Sequence, residues 1–344
     1  MEKNTILVTG GAGYIGSHTV RQLGEAGKKL VILDNLSTGF ESSVLYGDFI
    51  FGDMGDSDLV EKILKDYNID TVFHFAAHTI VPESVTNPLK YYKNNTCSSR
   101  NLLEQCNKHK VKNFIFSSSA AVYGTPESGY AREDTPTKPI NPYGYSKLMT
   151  EVMLNDLSLA SDLNYVALRY FNVAGCDPQT RIGQSTANAT LLIKVACEVA
   201  VGKRSEIFIF GTDYPTADGT GVRDYIHVED LANAHLCALN YLETEKKSII
   251  LNVGYGHGSS VREVLDSIER IDGKPLNIIE KARRSGDPPS LISVANKIKA
   301  TLKWKPHYDN LDLIVKTSLD WEYKLKQTPQ NNIHPDYSRM FNYK

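Results

Sequence analysis

Apolar residues in the first half of the chain fall into two alternating patterns. Short runs at residues 6–9, 30–33, 71–75 and 114–117 are rich in Val, Ile, Leu and Phe. They read as strands buried on both faces. Between them, residues 15–25, 59–65 and 89–109 repeat their apolar positions every three to four residues, the period of an amphipathic helix. A further strand is expected at 166–170. This alternation predicts an α/β fold built on a doubly wound parallel sheet of the Rossmann type.

The texture changes after Asn172. Gly, Pro, Asp and Thr accumulate in 175–190 and 211–223, around a helix at 191–201 and a strand at 206–210. Later segments predict helices near 228–242, 261–271, 294–302 and 311–324, and a strand at 249–253. The expected organisation is a nucleotide-binding domain over 1–172, joined by about 224–252, and a smaller mixed α/β substrate domain over 173–326. Residues 327–344 are polar and unpatterned apart from Tyr337, Phe341 and Tyr343, and are expected to be an extended or disordered tail.

A length of 344 residues, 41% of them hydrophobic, suits one large or two medium globular domains. The net charge of −2 points to neither nucleic acid nor a membrane surface. No run approaches the roughly 20 apolar residues of a membrane helix. Cys97, Cys106, Cys176, Cys197 and Cys237 form no CxxC pair and no zinc spacing, so no metal is expected. The first residues do not read as a signal peptide, and free thiols in a reducing cytoplasm follow.

Candidate chemistry begins at Gly10-Gly11-Ala12-Gly13-Tyr14-Ile15-Gly16, between the first strand and the first helix. Glycines at 10, 13 and 16 permit a tight turn, close approach of backbone to a pyrophosphate, and close helix–strand packing. The helix start adds free N–H groups and a positive dipole end. Asp34 closes the second strand, where a carboxylate accepts from ribose hydroxyls and repels a 2′-phosphate, favouring NAD over NADP. Its bland alternative is a turn residue.

A second constellation is Tyr143-Gly144-Tyr145-Ser146-Lys147 at the start of a predicted helix. Tyr143 and Lys147 are four residues apart and share a helix face. A phenol is a poor base at neutral pH unless cations favour its phenolate. Lys147 and an oxidised nicotinamide are expected to do so. Ser117-Ser118-Ser119 ends a predicted strand upstream, and strand C-terminal ends are where ligands bind in such sheets.

These motifs resemble the extended short-chain dehydrogenase/reductase superfamily. Longer strings resemble its UDP-glucose 4-epimerases over about residues 5–325: Val8 to His18, Leu33-Asp34-Asn35-Leu36, Asn113 to Ser119, Arg169-Tyr170-Phe171-Asn172, and Asp213-Tyr214-Pro215-Thr216 through His227. The resemblance implies UDP-glucose/UDP-galactose 4-epimerisation through tightly bound NAD, with Tyr143 as base, Ser119 sharing its proton and Lys147 completing the set. Cofactor contacts implied are Gly10, Gly13, Tyr14, Ile15, Gly16, Asp34, Asn35, Ser37, Thr38, Gly39, Asp53, Met54, Phe75, Ala76, Ala77, Asn95, Ser117, Tyr143, Lys147 and Tyr170. Implied UDP-sugar contacts are Ser119, Tyr143, Asn172, Leu191, Phe210, Arg223, Arg284, Asp287 and Leu291. His227 is expected to be structural. A homodimer through helices 89–109 and 143–160 is also implied.

Three positions depart from relatives. Thr79 stands where many carry lysine, with His78 beside it. Leu191 stands where Asn or His is common. Leu291 replaces a large Tyr of glucose-restricted relatives, which opens room for an N-acetyl group and so for UDP-GlcNAc/UDP-GalNAc. Ala120 and Ala121, following Ser119, lack the carboxylates of related dehydratases and decarboxylases. Epimerases of pentose or uronate nucleotides, and a non-catalytic NAD(H)-sensing protein, are the alternatives.

Overall fold

A computed structural model describes residues 5–284 and 286–327. The expected tail beyond 327, with Tyr337, Phe341 and Tyr343, lies outside the described residues.

Seven strands form the main sheet: β1 (Thr5–Thr9), β2 (Lys29–Asp34), β3 (Asp48–Phe51), β4 (Ile69–His74), β5 (Asn113–Ser119), β6 (Asn164–Tyr170) and β7 (Ile249–Val253). All pair in parallel, in the order β7-β6-β5-β4-β1-β2-β3. This is the doubly wound Rossmann-type fold expected from the sequence. Alternate residues of each strand feed two cores. Ile6, Val8, Ile32, Phe73, Ile115, Val166 and Leu168 point to one face, where α1 (Tyr14–Glu25) contributes Val20 and Leu23. Leu7, Val31, Leu33, Val72, Phe114 and Ala167 point to the other. There, α2 (Ser57–Asp66) supplies Val60, Ile63 and Leu64, α3 (Ser98–Lys108) supplies Leu102, Leu103 and Cys106, and α4 (Pro142–Ala160) supplies Leu154. Each such side chain, fully buried, contributes about 1.5–3 kcal/mol. On the first face, α5 (Val228–Glu245) packs against α1, adding Leu231, Ala234, Ala238 and Leu242.

The single helix expected over 89–109 is interrupted. Pro88–Tyr91 is α-helical, Tyr92–Cys97 is a π turn, and α3 follows. Within the wide turn the Asn95 carbonyl accepts from Ser99 Oγ at 2.6 Å. β3 was not foreseen. Its four residues, Asp-Phe-Ile-Phe, sit at the sheet edge and are too few for a periodicity to show.

The remaining elements make a smaller mixed α/β layer. Ser259–Ser260, Val222–Arg223, Ser290–Ser293 and Tyr130–Ala131 form a four-stranded sheet in that order. Tyr225–His227 pairs with Asn172–Ala174, and Ile278–Lys281 with Ile207–Phe210. Helices Leu192–Ala200, Val261–Asp272 and Leu311–Gln327 share one core through Ile193, Ala196, Leu265, Ile268, Ile314 and Leu319.

Candidate active site

The glycine loop leaves β1 at Gly10, whose φ of 74° and contact with the next strand both require glycine. A Cβ there would lie 2.4 Å from the Ala76 nitrogen. At Gly16 it would lie 2.2 Å from the Gly10 carbonyl, so α1 packs down onto the loop. Gly13 differs: a Cβ there would meet a single atom, the Gly10 oxygen, at 3.3 Å. No side chain caps α1, which leaves first-turn N–H groups available to an anion. Gly39 lies against Ala12, and exposed Ser37 and Thr38 precede it.

Asp34 is buried and braces this loop. Its Oδ2 accepts from Ala12 N (2.9 Å) and its Oδ1 from Leu36 N (2.8 Å). Burial raises its pKa, opposed by the amides of Leu36, Ala12 and Gly13. A carboxylate has about four acceptor positions, so capacity for ribose hydroxyls remains. Asn35 donates to Asp53 Oδ2 (3.0 Å), and buried Met54 follows. Phe75 and Ala76 continue from β4, their amides bonded to the Thr9 carbonyl. Open backbone at Gly13, uncapped amides and a spare-valence carboxylate together fit a dinucleotide such as NAD.

Two expected contacts are engaged elsewhere. Asn95 is one of the cofactor contacts that the resemblance implies. It is 3% exposed, accepts from His78 N (2.8 Å) and Asn94 Nδ2 (3.0 Å), and donates to His78 O (2.9 Å) and Ser146 Oγ (3.0 Å). Its polar capacity is therefore spent on holding the Phe75–His78 segment against α4. The Tyr14 hydroxyl donates to Gly175 O (2.6 Å), tying α1 to the segment after Asn172. Ile15 packs against the core beside it.

Ser119, Tyr143 and Lys147 converge at the C-terminal end of β5. Asn141 caps α4 by accepting from Gly144 N (2.9 Å), and Pro142 occupies the first turn. Tyr143, Lys147 and Glu151 then follow on one buried face. Ser119 is the neighbour of Tyr143 that favours its phenolate. Lys147 Nζ donates to the Ser117 carbonyl (2.8 Å) and lies 5.1 Å from the Phe116 ring centre. Ser117 Oγ meets the Tyr170 hydroxyl.

The electrostatics differ from the sequence expectation. Burial raises Tyr143, with Ser119 opposing. Burial also pushes Lys147 down to about 7, opposed by Glu151. Desolvation therefore outweighs the expected cationic help in the protein by itself. Behind the set, Glu151 accepts a fork from Arg169 (2.9 and 2.6 Å) and a bond from Ser118 Oγ. Arg169 continues to Tyr123, whose hydroxyl donates to Asn252 on β7 (2.6 Å). This buried polar network, which sequence reading missed, locks α4 to β5, β6 and β7.

The expected sugar-nucleotide residues gather in the smaller layer. Arg223 is paired in register with Leu291. Asn172 N donates to the Asp224 carbonyl (3.0 Å). The Arg284 guanidinium stacks 3.6 Å from the Phe210 ring centre, and Asp287 N bonds the Arg284 carbonyl (3.4 Å). Leu291 packs on the cluster of Ala120, Val122 and Phe171, just past the end of β5. Leu191 is 40% exposed at the start of its helix and offers no polar cap. Thr79 is exposed, and burial, with Lys90, pushes His78 down. His227 is structural in its bonding: Nδ1 accepts from Glu229 N, and Nε2 meets Thr317 Oγ1 at 3.0 Å. An open cleft of about 390 Å³ beside Phe210, lined by Thr212, Asp213, Lys281 and Arg283, contains none of the reactive set. No group of three metal-ligating side chains occurs among the described residues.

Residues 6–254 match the NAD dependent epimerase/dehydratase family. The chain is 50% identical over 324 residues to a UDP-glucose 4-epimerase of Azospirillum brasilense, covering 94% of this chain and 93% of that one. Among solved structures, a Brucella ovis UDP-glucose 4-epimerase in complex with NAD superposes with a TM-score of 0.90 at 42% identity, covering 92% and 98% of the two chains. A UDP-Glc/GlcNAc 4-epimerase of Campylobacter jejuni does so with a TM-score of 0.83 at 47% identity, covering 93% and 99%.

Proposed function

The chain belongs to the NAD dependent epimerase/dehydratase family, and we propose from this that it is an NAD-dependent isomerase interconverting UDP-glucose and UDP-galactose. The observation that carries this reading is the convergence of buried Tyr143 and Lys147 with half-buried Ser119 at the C-terminal end of β5. Gly10, Gly13, Gly16, Asp34 and the Phe75–Ala77 segment would hold the cofactor. When bound, NAD supplies a hydride acceptor for C4 of the sugar and a positively charged ring.

The protein's own part is positional and protonic. Tyr143 Oη takes the proton of the sugar 4-hydroxyl and returns it, with Ser119 Oγ as hydrogen-bond partner to both oxygens. Of the three Lys147 N–H donors, one is committed to Ser117 O, which orients the ammonium. Inversion at C4 requires the hexose to present either face to Tyr143 while its diphosphate stays anchored. Arg223 and Arg284 suit that anchor, since guanidinium forks match phosphate oxygens. Phe210 and Asn172 are assigned to the uridine and diphosphate, with Asp287. Residues 173–326 would form the sugar-nucleotide unit, with about 224–252 returned to the cofactor unit.

N-acetylated substrates are a second reading, favoured by Leu291, whose aliphatic side chain packs on the cluster of Ala120, Val122 and Phe171 that follows Ser119 in the chain. The C. jejuni relative bears a name that includes UDP-GlcNAc. A homodimer is part of the proposal. Val85, Leu89, Tyr145, Met149, Val152 and Leu159 are exposed apolar side chains on adjoining helices, and Leu159 is 81% exposed. No described helix is long and apolar enough to cross a membrane, and free cysteines suit a cytoplasmic enzyme. Incubation of purified protein with UDP-glucose, UDP-GlcNAc and a UDP-pentose, without added cofactor, tests the reading. UDP-galactose is the expected product of the first. No epimer from any of them, even after NAD is supplied, overturns it.

A further inference from the structure

Asp224 lies where the chain leaves one small sheet for another, between strands Val222–Arg223 and Tyr225–His227. It is 0% exposed. Four donors converge on its carboxylate: Tyr255 N on Oδ1 (3.0 Å), and Gly256 N (3.0 Å), Ser293 N (3.2 Å) and Ser293 Oγ (2.5 Å) on Oδ2. Its main chain is engaged as well. The carbonyl accepts from Asn172 N (3.0 Å), and the amide donates to Leu291 O (3.4 Å). Gly254 makes room for this junction, since a Cβ there would lie 2.6 Å from Asp224 Oδ2 and 2.4 Å from Ser293 Oγ.

A buried carboxylate is costly unless its acceptor capacity is filled. Here the donors are neutral amides and one hydroxyl, and they reach both oxygens. Only a carboxylate presents acceptors on both sides; an asparagine turns an N–H toward a donor whichever way its amide is placed. The segments thus drawn together are those carrying Asn172, Arg223 and Leu291, plus the turn that follows β7.

We infer that Asp224 is a positioning residue for substrate recognition, holding three separate chain segments in the register that makes one sugar-nucleotide site. The inference rests on the UDP-sugar reading above. Asp224 touches neither sugar nor cofactor in this role. Its loss should loosen the grip on the nucleotide and leave Tyr143, Ser119 and Lys147 in place.

The test uses full-length protein, with KM and kcat for UDP-glucose, direct binding of UDP by calorimetry, bound dinucleotide per protomer, and melting temperature. Asp224→Asn should raise KM and the UDP Kd roughly tenfold, the scale of one lost or mismatched buried hydrogen bond. Its kcat should stay within about threefold and its dinucleotide content unchanged. Ser293→Ala removes one donor and keeps the backbone, so it should move KM and Kd the same way by a smaller factor. Glu322→Gln perturbs a distant buried carboxylate paired with Lys194 and Lys203, and should lower the melting temperature alone. A KM and Kd within twofold of wild type in Asp224→Asn, or a lowered melting temperature as its sole effect, overturns the inference. If Asp224→Asn does not fold, unchanged KM and Kd in Ser293→Ala do so. Wild-type protein that neither binds UDP nor epimerises UDP-glucose removes the underlying reading and this inference with it.

Discussion

Tyr143 is subject to two opposed influences. Burial favours its neutral phenol, and Ser119 favours the phenolate. Burial wins in the protein alone, so the resting side chain holds its proton at neutral pH and needs the charge of a bound cofactor to act as a base. The side chain cannot be replaced by a neighbour, because Tyr145 points away from the set and is 43% exposed. Tyr143→Phe should therefore keep its dinucleotide and lose at least about 100-fold in kcat, as expected for removal of an acid–base group. Initial rates with UDP-glucose, beside the absorbance of released cofactor, check both halves. The identity of Tyr143, Lys147 and Ser119 was legible because spacing on a helix and position at a strand end are sequence properties. The direction of their pKa shifts was not, because desolvation depends on what the rest of the chain places over them.

At the scale of elements, the glycine loop separates two demands that look alike in the sequence. Gly16 is required by the fold, since a Cβ would strike the Gly10 carbonyl at 2.2 Å. Gly13 has extended backbone, with φ −74°, and a Cβ there would meet one atom, the Gly10 oxygen, at 3.3 Å. Gly16→Ala should thus lower stability by several kcal/mol, in the range of overpacked or clashing sites. Gly13→Ala should melt within a few degrees of wild type and yet retain less dinucleotide. Melting curves and cofactor content after gel filtration distinguish the two, and equal losses of stability would refute the assignment. Six of the seven sheet strands were legible from apolar runs, and the helices flanking them from periodicity; the short edge strand β3 was not. The π turn at Tyr92–Cys97 was not, because the Asn95 side chain within it is held by tertiary partners, His78 and Ser146, that no local pattern reveals. Asp224 was hidden for a similar reason. It stands next to Arg223 within a recognisable string, but its four donors come from Tyr255, Gly256 and Ser293, which no local pattern connects to it.

At the scale of the whole molecule, His74, His227 and His235 are buried in the neutral form. Burial pushes His74 and His227 down to about 3 and His235 to about 4. Each holds a defined place. His74 bridges Thr9 Oγ1 (2.7 Å) and Ser99 Oγ (2.8 Å) between β1 and α3. Ser99 spends its own proton on Asn95 O, so it must accept from His74 Nε2–H, and the bare Nδ1 accepts from Thr9. His227 caps α5. His235 lies among Phe73, Phe75 and Tyr170, and bonds the Leu231 carbonyl. In the unfolded chain each titrates near 6.5. Between that value and the lowered folded value the unfolded state binds more protons, so stability is fully present above pH 6.5 and is lost as pH falls. Three such groups remove up to about 4 kcal/mol per pH unit in that window, about 1.4 for each. Denaturant titrations at pH 7, 6, 5.5 and 5 should show this acid limb. His235→Phe, which keeps an aromatic ring among aromatic neighbours and removes one titrating group, should flatten the limb by about one proton's worth. An unchanged slope in that variant would mean that His235 is not held neutral in the folded protein.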